Sequence, residues 1–345
     1  MVTIKRGAHV AKRARKPVEA QPLPPLGPLP FSLTEAIGMV DKVFDIEKML
    51  KDEGVQLTEP YYQQSVLVYE QFYEKYLSVP GCMHFALNYD GVFNRNGFYG
   101  QARGVSKQIE RMGGAEAVLE VGCGKGLNTI HLAQNNPNVQ FTGLDLLHEH
   151  VAKGTERAAD LPNARFVQGS FEPLPQDLTG FDIAFGVETL CYAVDLDKVC
   201  QSLARALKPG GRVVIFDCFL NEPAPGHSEE MQLATRLLEV GWGISQGYRT
   251  PQQWLDAFNR AGLELHWDHD ETAFILPNLR KLQEYSLKFY NDWKVRLQAR
   301  IVSSLGQRNA VTALLMPYLF EGVEGENASL PGVSYRRLVV RKPVA

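Results

Sequence analysis

The sequence carries little excess charge of either sign. Its 36 Lys and Arg residues against 39 Asp and Glu residues leave a formal net charge of -3. A nucleic-acid-binding protein usually has a strongly basic domain, so this balance argues against a nucleic-acid partner. Apolar runs are short as well: none approaches the roughly 18–20 residues that cross a bilayer, so the sequence predicts no membrane-spanning helix.

Cysteines are few and unpaired in the sequence. There are five, an odd number, spread from Cys82 to Cys218 without a C-x-x-C pair. That pattern excludes a disulfide framework and indicates reduced thiols in an intracellular protein, which we expect to be cytoplasmic. The histidines at 148, 150, 266 and 269 have no cysteine or carboxylate partners at convincing zinc spacing, so we expect no metal.

The chain does have enough length and apolar content for one large domain with additions, at 345 residues and 45% hydrophobic. Residues 1–30 differ from the rest, with six basic residues and six prolines against the single acid Glu19. Such a stretch cannot bury enough apolar surface to offset its ordering entropy, so we predict a flexible arm. A targeting peptide and an electrostatic membrane tether are the alternatives, and the second leaves a peripheral membrane contact open.

Helix and strand signals divide the remainder of the chain. Ser32, with a glutamate three residues later, predicts a capping box and a helix that ends near Leu50, and Thr58 begins a second, aromatic-rich helix. From Glu116 short apolar strands alternate with helices, which predicts a parallel sheet with helices on both faces. Amphipathic helices are expected over 279–320. The predicted divisions are a basic, proline-rich arm over 1–30, an N-terminal helical lid over 31–110, a core over 111–275, and a C-terminal helical cover with a final strand over 276–345.

The most informative stretch is Val118–Asn128, where an apolar strand runs into three alternating glycines and then into a helix. Glycine lets the backbone turn tightly and a ligand approach, and the helix start supplies free N–H groups. The dinucleotide fingerprint requires a glycine where this chain has Leu127, although a dehydrogenase and a purely structural turn stay as alternatives. Glu120 would repel a pyrophosphate but suits a ligand with a cationic or hydroxylated end. Asp145 ends the next strand, nineteen residues after the last glycine, where an acid accepts hydrogen bonds from ribose hydroxyls.

This E-x-G-x-G-x-G segment and the acid after it resemble the first motif and second-strand acid of class I S-adenosylmethionine-dependent methyltransferases. The resemblance implies an α/β, Rossmann-like class I methyltransferase fold with a seven-stranded, mostly parallel sheet, an N-terminal helical lid and C-terminal additions. It implies S-adenosylmethionine as cofactor, with Ser170 where relatives carry an acid for the adenine amino group. The cofactor-binding residues expected on this basis are Tyr61, Glu120, Gly122, Cys123, Gly124, Gly126, Asp145, Leu146, Ser170, Phe171 and Val187.

The methyl acceptor is indicated by a second resemblance. The segment Val187–Ala193 is similar to the corresponding segment of sterol C-24 methyltransferases, with Tyr192 in place of their histidine. The segments 61–70, 83–86 and 238–250 are similar to the same group, and the methionine–histidine pair at 83–84 is also similar to tocopherol methyltransferases. The resemblance implies lipid metabolism and carbon methylation of a hydrophobic isoprenoid or sterol-like alkene. Methylation of a phenolic or quinone-like ring, on carbon or oxygen, is the alternative.

The chemistry of such a reaction favours particular residue types. An alkene that gains a methyl cation becomes positively charged, and desolvated aromatic faces stabilise a cation by about 0.5–2 kcal/mol each. The aromatic candidates are Tyr61, Tyr62, Phe85, Tyr192 and Trp242. A base must then remove a proton, and Glu188 and His84 are the available types. We therefore expect Glu188, His84 and Tyr192 to be catalytic, and a hydrophobic small molecule to be the partner.

Overall fold

The computed structural model describes residues 23–222, 227–299, 303–325 and 328–344. The predicted basic arm therefore lies outside the described residues as far as position 22. Seven strands of the described chain form one sheet. They are β1 (Ala117–Val121), β2 (Gln140–Asp145), β3 (Ala164–Gln168), β4 (Phe181–Val187), β5 (Leu207–Leu220), β6 (Glu264–Asp270) and β7 (Val333–Arg341).

The strand order is β3-β2-β1-β4-β5-β7-β6. Neighbours among β1 to β5 pair in parallel, whereas β7 runs antiparallel to both β5 and β6. The predicted seven-stranded, mostly parallel sheet is confirmed. Strands β1 and β4 are buried at nearly every position, so they are mostly apolar runs and not alternating patterns, and this made them recognisable in the sequence.

The position of β1 determines where a ligand binds. This strand lies between β2 and β4, so the connections on its two sides run in opposite directions across the sheet. In open α/β sheets such a reversal leaves a crevice beyond the carboxyl ends of the strands. Val118 and Leu119 are fully buried, and they anchor β1 so that its end is held firmly at this crevice.

Helices cover the sheet and one end of it. The N-terminal and core helices are α1 (Leu33–Asp41), α2 (Ile46–Leu50), α3 (Thr58–Tyr69), α4 (Gly100–Arg111), α5 (Leu127–Asn135), α6 (His148–Arg157) and α7 (Leu196–Ala206). The remaining helices are α8 (Glu229–Trp242), α9 (Pro251–Arg260), α10 (Thr272–Asn291), α11 (Trp293–Ala299), α12 (Ser304–Gln307) and α13 (Asn309–Glu321). In the described chain, no helix has both the length and the apolar content needed to cross a membrane.

Two expectations about the helices need correction. The single helix predicted from Ser32 to near Leu50 is two helices, since the chain leaves α1 at Lys42 and the side chain of Asp45 accepts from the Lys48 amide to begin α2. The capping box at Ser32 is present. The helical region predicted over 279–320 begins earlier, at Thr272, and is divided among four helices.

The N-terminal helices are tied to the glycine-rich bend that follows β1. Helix α3 continues directly into a π-helical segment, Glu70–Tyr76, which we call the lid turn. Lys125 of the bend lies 3.3 Å from Glu74 and 3.7 Å from Glu70 of the lid turn. Arg157 donates to the backbone carbonyls of Pro80 at 2.8 Å and Lys125 at 2.7 Å. These contacts hold the lid turn over the carboxyl ends of the strands.

Candidate active site

The glycine-rich bend has the backbone that only glycine adopts easily. Gly122, Gly124 and Gly126 have φ angles of +65°, +51° and +82°. A Cβ atom on Gly122 would lie 1.8 Å from Thr189 Oγ1, and one on Gly124 would lie 3.1 Å from Met83 Sδ. The bend therefore keeps space at the crevice that any larger residue would fill.

Asp145, at the end of β2, holds this bend in place. Its Oδ2 accepts from the Gly124 amide at 2.8 Å, and its Oδ1 accepts from the Leu147 amide at 3.0 Å. His150 Nδ1 lies 3.1 Å from the same Oδ1. A carboxylate offers about four lone-pair sites, so Asp145 keeps capacity to accept from a ligand hydroxyl.

The Glu120 carboxyl group mainly accepts hydrogen bonds from the helix that follows the bend. Its Oε1 accepts from Asn128 Nδ2 at 3.1 Å, and its Oε2 accepts from the Thr129 amide at 3.0 Å and from the Thr129 hydroxyl. Burial raises the pKa of Glu120 to about 7. The carboxyl group thus satisfies amide and side-chain donors in the first turn of α5 while one side of the residue lines the crevice.

The crevice is a first cavity that brings together most of the residues predicted from the sequence. Those that line it are Glu120, Gly122, Cys123, Gly124, Asp145, Leu146, Phe171, Val187, Glu188, His84 and Tyr192. Three predicted cofactor residues, Tyr61, Gly126 and Ser170, are not among its lining residues. Gly126 is the left-handed N-cap of α5, and the hydroxyl of Ser170 accepts from the Glu172 amide at 2.9 Å within its own turn.

A second, larger cavity adjoins the first. Its volume is about 660 Å³, and most of its wall is apolar or aromatic, with contributions from α3, the lid turn, β5 and helices α8 and α10 to α13. Of the aromatic candidates, Tyr62, Phe85, Tyr192 and Trp242 line it. Four residues line both cavities, and they mark the junction between the two spaces: Tyr62, Met83, Glu188 and Tyr192.

Tyr61 does not reach either space. Its side chain is fully buried, and its hydroxyl donates to Asn309 Oδ1 at 2.7 Å and lies 3.1 Å from the Tyr69 hydroxyl. The expected role of Tyr61 as a cofactor or cation contact is therefore replaced by packing between α3 and α13. Tyr62, the next residue on the helix, takes the place at the junction.

Glu188 is held in a strained position at this junction. Its φ of +49° is in the left-handed region, which non-glycine residues rarely adopt. Its Oε1 accepts from the Phe85 amide and from the Tyr335 hydroxyl, both at 2.9 Å. Burial raises the pKa of Glu188 to about 8. Without a bound ligand, the Glu188 carboxyl is thus mostly protonated at neutral pH. A positive charge nearby would lower its pKa and favour the ionised form.

His84 lies in the first cavity but does not line the second. Its Nδ1 lies 3.0 Å from the Phe85 carbonyl oxygen, which only accepts, so Nδ1 carries the proton and Nε2 the lone pair. The Asn128 side chain lies beside the His84 ring, and neither His84 Nε2 nor Asn128 Oδ1 has a well-formed hydrogen bond among the described residues. Burial lowers the pKa of His84 to about 4, so the ring is neutral at physiological pH.

Sequence reasoning missed several residues at the junction and in the second cavity. Asp217 and Tyr248 line the second cavity, Tyr335 donates to Glu188, and Asn128 lines the first cavity. Asp217 follows the rule that ligands gather beyond the carboxyl ends of parallel strands, so its place near the end of β5 was a usable signal. Asn128 lies at the end of the glycine-rich stretch, whereas Tyr248 and Tyr335 have no local signal, because their positions depend on contacts between distant parts of the chain.

Comparisons with known proteins agree with this geometry. A family model described as "Methyltransferase domain" matches residues 113–262. The 27-O-demethylrifamycin SV methyltransferase of Amycolatopsis mediterranei is 30% identical over 172 residues, 49% of this chain and 61% of that protein. Cycloartenol-C-24-methyltransferase 1 of Oryza sativa subsp. japonica is 26% identical over 228 residues, 65% of this chain and 63% of that protein. The chain thus spans somewhat over half the length of these curated relatives.

The fold has solved counterparts. A crystal structure described as a sarcosine dimethylglycine methyltransferase from Galdieria sulphuraria superposes with a TM-score of 0.62 at 16% identity, covering 79% of this chain and 98% of that one. Residues 113–262 therefore match a methyltransferase domain, and the sheet has the fold of class I methyltransferases. Within that class it resembles the sterol C-24 group.

S-adenosylmethionine is the cofactor of this domain, and the residues that line the first cavity are of the types that would hold it. The glycine bend leaves room for a ligand against the backbone, and Asp145 keeps acceptor capacity at the end of β2. Leu146, which is 49% exposed, and Phe171 offer apolar surface beside it. The unpartnered Nε2 of His84 and Oδ1 of Asn128 are buried polar atoms that a polar ligand would satisfy.

Proposed function

We propose that the protein transfers a methyl group from S-adenosylmethionine to a carbon of a hydrophobic, isoprenoid-like alkene. The observation that carries the proposal is the junction of the two cavities at Glu188. A cofactor seated in the first cavity would present its methyl group to an acceptor in the apolar second cavity. Cavities of about 300–1,000 Å³ are typical of small-molecule sites, and the second cavity, at about 660 Å³, falls in that range.

The cofactor would be held by the residues of the first cavity. Asp145 would accept from a ribose hydroxyl, and Leu146 and Phe171 would flank the adenine. The bend at Gly122 and Gly124 would let the ligand approach the main chain. When bound, S-adenosylmethionine supplies an electrophilic methyl group whose departure leaves a neutral thioether.

The aromatic walls would stabilise the charged acceptor. The π electrons of the alkene form the new carbon–carbon bond, and the acceptor is left with a positive charge on the neighbouring carbon. The rings of Tyr62, Tyr192 and Trp242 line the space where that charge would develop. At about 0.5–2 kcal/mol for each desolvated ring, two or three rings supply a few powers of ten in rate.

Glu188 would complete the reaction as the base. Its carboxylate would take a proton from the carbon next to the cationic centre, and the electron pair of that C–H bond would become the new double bond. The pKa of Glu188 is raised by burial, and a cationic neighbour lowers it again, so the base would ionise when the cofactor arrives. His84, neutral and with a free lone pair, is the second candidate base.

A labelling experiment tests the proposal. The protein would be incubated with ¹³C-methyl-labelled cofactor and a set of sterol and linear isoprenoid alkenes, and the products analysed by mass and carbon NMR. We expect one label per product, bonded to carbon, and a loss of about 10²–10⁴-fold in turnover for Glu188→Gln without loss of cofactor binding. No transfer to any member of the set would contradict the proposal.

The alternative acceptor is a phenolic or quinone-like ring. It is favoured by the 30% identity to a protein whose name describes methylation at an oxygen. In that reaction Glu188 or His84 would remove the hydroxyl proton, and the label would appear on oxygen or on a ring carbon. The chemical shift of the labelled methyl group separates the two reactions.

A further inference from the structure

The second cavity is mostly apolar, yet one part of its wall is polar. Asp217 near the end of β5 and Tyr248 in the loop after α8 both line it, and they are only 2% and 3% exposed. Cys191 and Cys218 lie beside them on the same wall. A buried carboxyl and a buried phenol facing an apolar space are costly unless something pairs with them.

The hydroxyl group of Tyr248 has the Cys218 thiol, a weak hydrogen-bonding group, as its polar neighbour. Tyr248 Oη has no well-formed hydrogen bond among the described residues, although the backbone amide of Tyr248 donates to Glu239 Oε1 at 2.8 Å and so fixes the position of the residue. A buried, unsatisfied hydroxyl destabilises the fold, because it has lost its hydrogen bonds to water. The hydroxyl of Tyr290 is also unpartnered among the described residues but does not line the cavity, so position in the cavity wall is what distinguishes Tyr248.

Asp217 is partly satisfied and keeps accepting capacity. Its Oδ2 accepts from the Cys191 amide at 3.1 Å and its Oδ1 from the Cys218 amide at 2.8 Å. The Leu190 amide and the Cys191 thiol, a weak donor, also approach the carboxyl group, so a ligand hydroxyl would be accepted in place of the thiol. The phenol of Tyr248 can donate and the carboxyl of Asp217 can accept, which is the pattern that complements a hydroxyl group.

We propose that Tyr248 and Asp217 form a subsite for a hydroxyl group of the methyl acceptor. The hydroxyl donates to Asp217 and accepts from Tyr248, whereas a carbonyl or ether oxygen satisfies only Tyr248, and a hydrocarbon satisfies neither. The inference rests on the proposed function, because it treats the second cavity as the acceptor site. It narrows the acceptor to an isoprenoid alcohol.

The subsite is close to the junction of the cavities. Val187 of β4 pairs with Phe216 of β5, so the residues that come next, Glu188 and Asp217, are neighbours across the two strands. The Glu188 amide donates to the Phe216 carbonyl at 2.8 Å. The hydroxyl therefore lies near the reacting carbon. Acceptors with the alcohol and the alkene at the same end of the molecule fit this arrangement.

A binding comparison tests the subsite. Farnesol and farnesene, an isoprenoid alcohol and hydrocarbon of equal carbon count, would be titrated into the full chain saturated with S-adenosylhomocysteine. The change in tryptophan fluorescence, to which Trp242 in the cavity wall contributes, reports binding. We expect farnesol to bind at least about tenfold more tightly than farnesene, since two buried polar groups gain partners. Tyr248→Phe and Asp217→Asn are each expected to remove most of that preference.

Tyr290→Phe is the matched control, because it removes an equally unpartnered phenol that does not line the cavity, and it should keep the preference. Equal affinity for the two compounds, binding of neither, or a preference that survives Tyr248→Phe would overturn the subsite. Tyr248→Phe removes a single oxygen and so carries the test even where Asp217→Asn does not fold. The readout is binding, so a failure of methyl transfer would count against the proposed function and not against the subsite.

Discussion

Glu188 is half-buried at the junction and His84 is buried in the first cavity, and desolvation favours the neutral form of each. The pKa of Glu188 is raised to about 8 and that of His84 is lowered to about 4. Glu188 therefore loses its proton near pH 8, whereas His84 gains one only near pH 4. This difference makes the identity of the base measurable.

The pH dependence of turnover distinguishes the two bases. If Glu188 is the base, kcat/KM for the cofactor, which reports the enzyme before the positive charge arrives, rises about tenfold per pH unit and levels off near pH 8. Glu188→Gln removes this rising limb. A profile that is flat between pH 5 and 8 in the unmodified protein would assign the proton transfer to His84, since its ring is already neutral there.

Which residue faces the ligand was predictable only in part. Asp145 ends β2 and Leu146 follows it. The end of this strand is marked in the sequence, so the position of both residues in the first cavity could be predicted. Tyr61 and Tyr62 are neighbours on α3, and their roles depend on where Asn309 of α13 packs. Contacts of that sequence separation leave no local pattern, so the sequence could not choose between the two tyrosines.

At the scale of elements, the bend between β1 and α5 requires glycine for two separable reasons. Gly122 has a φ of +65°, and its Cβ would also collide with Thr189. Gly180 has a φ of +81° but has nothing within 4 Å of its Cβ position. Comparing Gly122 with Gly180 therefore separates the free-energy cost of a positive φ angle from the cost of steric contact with a neighbour.

We expect Gly180→Ala to lower the free energy of unfolding by about 1 kcal/mol, the cost of a left-handed alanine. Gly122→Ala should lower it further, by more than about 2 kcal/mol, and should also weaken cofactor binding, since Thr189 must move into the first cavity or away from it. Urea unfolding and calorimetric titration of the cofactor measure the two effects. Equal losses in the two variants would show that close approach at Gly122 is unimportant.

Elements were predicted well where local sequence decides them and poorly where packing does. The ends of β1, β2 and β4 are marked by apolar runs that stop at glycine or an acid. Helix α4 was missed because its sequence contains glycines and polar residues. A Cβ on Gly104 of α4 would lie 2.6 Å from the Phe216 ring, so close packing on the sheet, not helix propensity, selects the residue there.

At the scale of the whole molecule, the buried carboxyls link stability to pH. Glu188 and Glu120, with pKa values raised to about 8 and about 7, are protonated in the fold over a range where the unfolded chain has lost those protons. Their stabilising contribution is complete below about pH 4.5 and is lost as the pH rises through the folded values. The lowered pKa of His84 acts in the other direction, but only below its unfolded value of 6.5.

The free energy of unfolding should therefore fall between pH 6.5 and 8.5. Glu188 alone accounts for about 2 kcal/mol of that loss, at about 1.4 kcal/mol per pKa unit. Urea midpoints across this range measure the effect, and Glu188→Gln should flatten the curve to the smaller slope left by Glu120. A midpoint that rises with pH over the same range is incompatible with neutral buried carboxyls.

The two cavities are built by separate parts of the chain and meet at four side chains. The most direct measurement is a crystal structure of the full chain with bound S-adenosylhomocysteine. We predict the sulfur atom at the junction of Tyr62, Met83, Glu188 and Tyr192, with the ribose on Asp145 and the second cavity open to the position of the methyl group. A nucleoside bound elsewhere, or a sulfur atom separated from the apolar space by closed packing, would contradict the account.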